Sequence, residues 1–378
     1  MTSTREKDNI PMGGGKDYPP TYDNVAQFVV EWNGPDDLRN PQNWPSLRKL
    51  YISLIVCSGA FVACFNSAIF AAGVVGASDE LHISEEVGQL GTTLFVLGFA
   101  AGPPLWAPSS ELYGRRWPLF IGMLGTSIFT IACAAAKDAQ TLLTCRFFAG
   151  VFGASPLCVV PGVLSDMYSS GYRGMAISIY ALTVFGGPLL APIIGSFIAA
   201  SYLGWRWTQY LPAILGFANA FLMLLFLRET YAPLVLAEKA SIIRRQTGNT
   251  FIHAPHEKRE VDLQDMMNKY FARPLRMLVT EPTVLLVSLY MSFIYGIVYA
   301  LLEAYPFVYS SVHGWDSGVA YLPFIGLLLG VCCALALILS QQKSYARKLE
   351  AHGGVAVPEW RLYPAMLGAF VFPIGLFW

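Results

Sequence analysis

Charge is what this 378-residue chain has least of: Asp, Glu, Lys and Arg together make up 13% of it, against 54% apolar residues. A water-soluble domain of this size rarely shows that balance, because its surface needs more charge. The net charge is zero, which excludes a generally basic nucleic-acid binder, and no Lys/Arg cluster with interleaved aromatics suggests one. The seven cysteines all fall inside apolar stretches, away from any His or acidic spacing that reads as a metal site, so they are expected to be small packing residues. There is no Gly-x-Ser-x-Gly elbow, no phosphate-cradling Gly-rich loop ending in Lys-Ser/Thr, and no His pair at metal spacing. Enzyme chemistry, a nucleotide, a metal and a cofactor are therefore not expected. No Asn-x-Ser/Thr acceptor occurs, and the polar first 49 residues lack a cleavable leader, which leaves targeting to the first apolar segment.

The apolar residues run in blocks at about 50–75, 87–107, 117–137, 139–164, 174–200, 207–227, 283–303, 318–340 and 361–378. Each block has roughly the 20 residues that cross a bilayer core about 30 Å thick, and in lipid such a block must be helical to satisfy its own peptide groups. An all-α membrane protein with nine spans follows. It divides into a polar tail (residues 1–49), a six-helix bundle (50–227), a linker (228–282) and a partial bundle of three spans (283–378). The linker carries Arg244, Arg245, Lys258 and Arg259 beside Glu257, Glu260, Asp262 and Asp265, and reads as a solvated segment with one or two amphipathic helices. With the N-terminus in the cytoplasm, 22 of the 25 Lys and Arg residues lie on the cytoplasmic side and only Lys137 and Arg206 on the other. That asymmetry orients membrane helices. The remaining basic residue, Arg146, lies inside a span.

Three stretches carry specific chemistry. Ala107-Pro-Ser-Ser-Glu111-Leu-Tyr-Gly114-Arg115-Arg116 joins the second and third blocks. Gly114 permits a sharp reversal, Arg115 and Arg116 hold the membrane boundary, and Glu111 can pair with them or with a helix N-terminus. In the fifth block, Gly186-Gly187-Pro188-Leu-Leu-Ala191-Pro192-Ile-Ile-Gly195-Ser196 sets two prolines four residues apart among small residues, suited to close packing with bends. Arg146, in Cys145-Arg146-Phe-Phe-Ala-Gly150, costs about 2.5–3.5 kcal/mol even on a lenient insertion scale. It therefore either faces a cavity or partner, or snorkels to the nearby interface.

These stretches resemble the major facilitator superfamily and, within it, the twelve-span fungal drug:proton antiporters. The first is similar to the superfamily's signature loop, with Ala107 for Gly and Glu111 for Asp. The second is similar to the antiporter motif, with Ala191 and Ser196 at two glycine positions, and the third to the fourth-span motif of Arg with Gly four residues on. Asn40-Pro-Gln-Asn-Trp44-Pro45, Ser165-Asp166, Gly204-Trp-Arg-Trp207, Arg228-Glu229-Thr-Tyr-Ala-Pro233 and Pro358-Glu-Trp-Arg-Leu-Tyr-Pro364 extend the likeness over roughly residues 30–378. The resemblance implies a major facilitator fold with a six-helix N-terminal half and an incomplete C-terminal half, working by alternating access around a midplane site. It implies proton-coupled export of drugs, toxins or secondary metabolites across the plasma membrane, with protons and a small-molecule substrate as partners, and a role for Arg146 in coupling or cavity polarity.

Asn66 in the first block and Glu303 at the end of the seventh are further cavity or proton candidates, although Glu303 sits where its span leaves the membrane and needs no special role there. Tyr180, Tyr290 and Tyr295 can contact a flat apolar ligand. Two other functions stay open. One is a proton-coupled nutrient uptake permease, disfavoured by the antiporter-like fifth block and by the lack of Pro-Glu-Ser-Pro-Arg after the sixth. The other is a truncated, non-transporting or regulatory membrane protein. With nine spans where the family has twelve, the chain alone is not expected to complete alternating access.

Overall fold

A computed structural model describes residues 10–16, 28–257, 268–316, 318–351, 357, 360 and 363–377. Lys258, Arg259, Glu260, Asp262 and Asp265 of the linker, with Pro358, Glu359, Arg361, Leu362 and Trp378, lie outside the described residues.

Helix α1 (Ser46–Ile69) starts directly after Pro45, tightens into a 3-10 turn at Phe70–Gly73 and continues as α2 (Val74–Leu81), which His82 ends in the left-handed region at φ 54°. Ser84 opens α3 (Glu85–Ala101) by accepting the Val87 N–H, and Glu85 and Glu86 meet the positive end of the helix dipole. Gly102 leads into α4 (Pro103–Leu112). Then come α5 (Arg116–Ala134) and α6 (Ala139–Met167). The Asp138 carboxylate caps α6 through the Thr141 N–H at 2.7 Å, a bond that holds its pKa below the ordinary aspartate value. The first bundle closes with α7 (Ser170–Ala200) and α8 (Trp207–Phe226). After it come α9 (Ala232–Thr247), stopped by Gly248 at φ 72°, then α10 (Arg273–Thr280), α11 (Pro282–Pro306), α12 (Phe324–Ala351) and α13 (Tyr363–Phe377).

Eight helical stretches among the described residues are long and apolar enough to cross a membrane. The ninth expected span is α13, whose 15 residues reach about 22 Å at about 1.5 Å per residue, less than a hydrocarbon core of about 30 Å. Helix α1 packs along α7 and α8, α5 against α6 and α8, and α3 against α6. The core between them holds Ile52, Val56, Leu119, Met123, Val160 and Met223. The outward faces of α8 and α11 remain apolar and exposed, with Phe221, Leu225, Leu286 and Phe293 pointing away from the bundle, as lipid-facing helices require.

The tail and the linker, which the sequence presents as two separate polar segments, meet. Val30 N–H bonds to His253 O at 3.0 Å and His253 N–H to Phe28 O at 3.1 Å. Met12, Phe28 and Val30 close an apolar cluster with Ala240 and Ile243 of α9 and with Ile252 and Ala254 beyond it. The Lys239 ammonium lies under this lid, bonded to Asn33 Oδ1 at 2.7 Å and to the Met12 and Glu31 carbonyls. Burial pushes it down to about 8.

Candidate functional site

Arg146 is completely buried. Its guanidinium donates from Nε to Gly91 O at 3.0 Å, from Nη1 to Asn66 O at 3.0 Å and from Nη2 to Ser67 O at 3.2 Å. Longer bonds of 3.4 Å run from Nη1 to Asn66 Oδ1 and Gln209 Oε1. The Phe70 and Phe95 rings lie against it, their centroids 4.9 and 4.5 Å from Cζ. The Asn66 and Ser67 carbonyls are at hand because α1 gives up its regular ladder one turn later, in the Phe70–Gly73 turn. Asn66 Nδ2 donates onward to Thr130 Oγ1 at 2.7 Å, which fixes the amide so that its oxygen faces the arginine. Among the described residues no carboxylate pairs with Arg146, so dipoles and aromatic faces alone hold the charge. Snorkelling, one of the two readings open in the sequence, is therefore not what Arg146 does: it ties α1, α3, α6 and α8 together.

The Arg146 site reaches α11 through one polar step. Ser67, whose carbonyl accepts Arg146 Nη2, has its hydroxyl 2.8 Å from the Tyr299 hydroxyl on α11. One turn further along α11, Glu303 Oε2 accepts from Gln89 Nε2 of α3 at 3.0 Å. Gln89 lies two residues before Gly91, the third backbone acceptor of Arg146. Beside these contacts, Phe65, Ile69, Leu189 and Ala191 of the first bundle pack against Leu302, Tyr321 and Phe324. Ser196 Oγ adds a bond to Gly318 O at 3.1 Å. The end of the molecule away from the tail is thus closed between α1, α3 and α7 on one side and α11 and α12 on the other.

The tail end is built differently. Arg115 Nε bonds to Asp166 Oδ2 at 3.1 Å and its Nη1 to Ser110 Oγ at 2.8 Å. Glu229 fills the role the sequence offers to Glu111: it accepts the Arg115 and Arg116 N–H groups at the start of α5, and those of Thr230 and Tyr231. Glu111 pairs with neither arginine. It reaches across to Lys269 at 2.6 Å and to the Tyr270 hydroxyl, and this carboxylate raises the Lys269 ammonium above its ordinary pKa. Gly114 takes φ 82°, the left-handed turn expected of it. A cavity of about 510 Å³ opens between Gly174, Ile177 and Ser178 near the start of α7, Gln341 and Tyr345 in the second half of α12, and Pro364 of α13.

The fifth-block motif lies on α7 with Gly186, Gly187, Pro188, Pro192 and Gly195 all buried. Its glycines differ. A Cβ on Gly187 would sit 2.8 Å from Phe65 N, and one on Gly195 2.9 Å from Ile69 Cγ1, both on α1. On Gly186 it would meet only Leu328 Cδ1, at 4.0 Å. Of the aromatic candidates, Tyr295 stacks near Phe185 with centroids 5.2 Å apart and Tyr180 bonds to Leu157 O at 2.9 Å, whereas Tyr290 is 45% exposed and joins neither. Sequence reasoning did not single out Ser67, Gln89, Gln209 or Tyr299, because a lone Ser or Gln in an apolar block carries no pattern. Glu229 and Asp166 had a signal, since each lies in text that resembles the family.

The sequence profile described as the Major Facilitator Superfamily matches residues 56–378. The multidrug transporter FLU1 of Candida albicans is 43% identical over 369 residues, 97% of this chain and 60% of that protein. Multidrug transporter TPO1_2 of Candida glabrata is 44% identical over 97% of this chain and 63% of its own length. An uncharacterised MFS-type transporter of Schizosaccharomyces pombe is 44% identical over 95% of this chain and 70% of its own. The chain thus spans about 60–70% of the length of these relatives. Among solved structures, the proton:xylose symporter XylE superposes with a TM-score of 0.55 at 17% identity, over 79% of this chain and 70% of that one.

Proposed function

We propose that this chain, which belongs to the Major Facilitator Superfamily, exports small organic molecules of the multidrug type in exchange for protons. Membership makes it a multi-pass membrane transporter and not an enzyme. The finer reading rests on one observation: a fully buried Arg146 with no carboxylate partner among the described residues, one hydroxyl step from the helices that follow the linker. A charge in that position is costly unless it works, and here it sits where the two helix groups touch. Glu303, bonded to Gln89 across the same junction, is the proton-accepting partner in this reading. Protonation removes a charge from the closing contact and loosens it, while Arg146 sets the local field and Asn66 holds it in place.

The chain divides into a cytoplasmic tail, a six-helix bundle, a cytoplasmic linker and a second, partial bundle, with the N-terminus in the cytoplasm of a plasma-membrane protein. In that orientation the closed end faces outward and the 510 Å³ cavity opens inward, which supports loading of substrate from the cytoplasm. Glu111, Gly114, Arg115 and Arg116 form the inner latch between the first bundle and the linker that leads into the second, the Lys269–Glu111 pair being its crossing bond. Gly187 and Gly195 let α7 pack closely on α1 within the first bundle, Pro188 and Pro192 shape the same stretch of α7, and Gly186 faces α12, where the two bundles move against each other. The test is efflux of a fluorescent organic cation from a transporter-deficient yeast carrying this chain extended by three further spans from a twelve-span relative, the form in which transport is measured throughout. Efflux abolished by a protonophore is the expected result, and efflux that persists without a proton gradient overturns the reading.

A further inference from the structure

We propose that a second cavity, between the tail, the start of α5 and the α8–α9 junction, binds the phosphate-bearing headgroup of an anionic lipid from the cytoplasmic leaflet. This cavity holds about 420 Å³ and is lined by Arg39, Arg48, Arg116, Arg228 and Lys239. Two carboxylates, Glu229 and Glu238, face these five cations. Glu229 is already committed, since it accepts the four backbone N–H groups of Arg115, Arg116, Thr230 and Tyr231. Lys239 is committed too, to the tail acceptors Met12 O, Glu31 O and Asn33 Oδ1.

Four guanidiniums remain, and none makes an ion pair among the described residues. Arg48 lies over the Trp44 ring at 3.9 Å, a contact that leaves its N–H edge free. Arg116 gives one Nη to Leu224 O, and its buried Nε has no partner. Several guanidiniums around one recess make a phosphate receptor, because each presents a planar fork that matches two phosphate oxygens.

The surroundings point to a lipid as the source. Arg48 sits in the first turn of α1 and Arg228 just past the end of α8, both at the membrane boundary. Directly below them Leu50 and Leu54 of α1 and Leu225 and Phe226 of α8 are exposed, and the Tyr51 and Phe226 rings meet edge-on at 6.4 Å. A headgroup in the basic recess therefore has an apolar path for its acyl chains along the same two helices. Basic recesses at this depth suit the anionic cytoplasmic leaflet.

The site rests on the cytoplasmic placement of the tail proposed above, which thiol accessibility of a Pro11→Cys variant, with the exposed Cys332 and Cys333 replaced by Ser, measures independently of any lipid. The binding test uses the full chain in phosphatidylcholine nanodiscs, with and without phosphatidylinositol bisphosphate, followed by native mass spectrometry. Saturable binding is expected. Replacing Arg39 and Arg228 together by Gln should weaken it roughly thirty-fold, at about five-fold for each basic side chain at a membrane surface. Glu238→Gln should strengthen it, a change of opposite sign that misfolding does not mimic. The proposal is overturned if the double variant binds as tightly as the unaltered protein, if Glu238→Gln weakens binding, or if inorganic phosphate displaces the lipid at equal concentration, which would make the cavity a site for a free anion.

Discussion

Replacing Arg146 by Met removes the charge and keeps most of the side-chain length. Five bonds disappear: to the Gly91, Asn66 and Ser67 carbonyls and to the Asn66 and Gln209 amide oxygens. Polar contacts between membrane helices average about 0.6 kcal/mol each, so the loss is about 3 kcal/mol. Against this, the substitution removes an insertion cost of about 2.5–3.5 kcal/mol for a cation within a span. The two nearly cancel, and the variant should reach the membrane in normal amounts with its thermal midpoint in detergent little changed. Transport should fall to background, because the charge beside the Ser67–Tyr299 contact is gone. An Arg146→Lys variant keeps a charge but not the fork that spans three carbonyls, so it should restore only part of the activity. Efflux of a fluorescent organic cation and thermal unfolding, measured on the same preparations, separate the two effects. Normal efflux by Arg146→Met would refute the coupling role, and a collapse in stability would refute the near-cancellation.

Three further outcomes follow from the geometry. Glu303→Gln fixes the neutral form while keeping a partner for Gln89, so the pH dependence of efflux should flatten, and an unaltered profile would remove Glu303 from proton transfer. Gly187→Val should abolish folding or transport because its Cβ would already stand 2.8 Å from Phe65 N, whereas Gly186→Ala should be tolerated, its Cβ having only Leu328 at 4.0 Å; equal effects at the two sites would contradict the α1–α7 contact. Because the docked tail lowers Lys239 from 10.5 to about 8, the undocked form holds more protons between those values, so docking should strengthen as pH rises through that window and stay constant below it. Energy transfer between labels at the exposed residue 11 and residue 245 reports it, and weakening docking over that range would reverse the sign.

Much of the fold was legible because lipid allows few solutions. Blocks of about 20 apolar residues had to be helices, and eight of the nine expected ones are long enough to span within the described residues. The ends of the first helix were less legible: a 3-10 turn at Phe70–Gly73 leaves no mark in hydropathy, yet it positions the carbonyls that Arg146 uses. Arg146 was legible as a costly charge, but not its ligands, since three of them are backbone carbonyls that any sequence carries. The tail–linker contact was hidden for a similar reason, being made by scattered residues such as Met12, Val30 and Ile243 with no periodic pattern. Glu111 shows the limit of local reasoning: its neighbours Arg115 and Arg116 look like natural partners, while its actual partner Lys269 lies 158 residues away along the chain.

Coupled proton movement in sealed vesicles tests the central claim most directly. With the protein reconstituted into proteoliposomes that hold a pH-sensitive dye, adding a multidrug-type organic cation should start proton flux opposite to the cation's movement, and Arg146→Met should stop both together. Cation movement without proton flux, or identical proton flux in the Arg146→Met variant, would contradict the account.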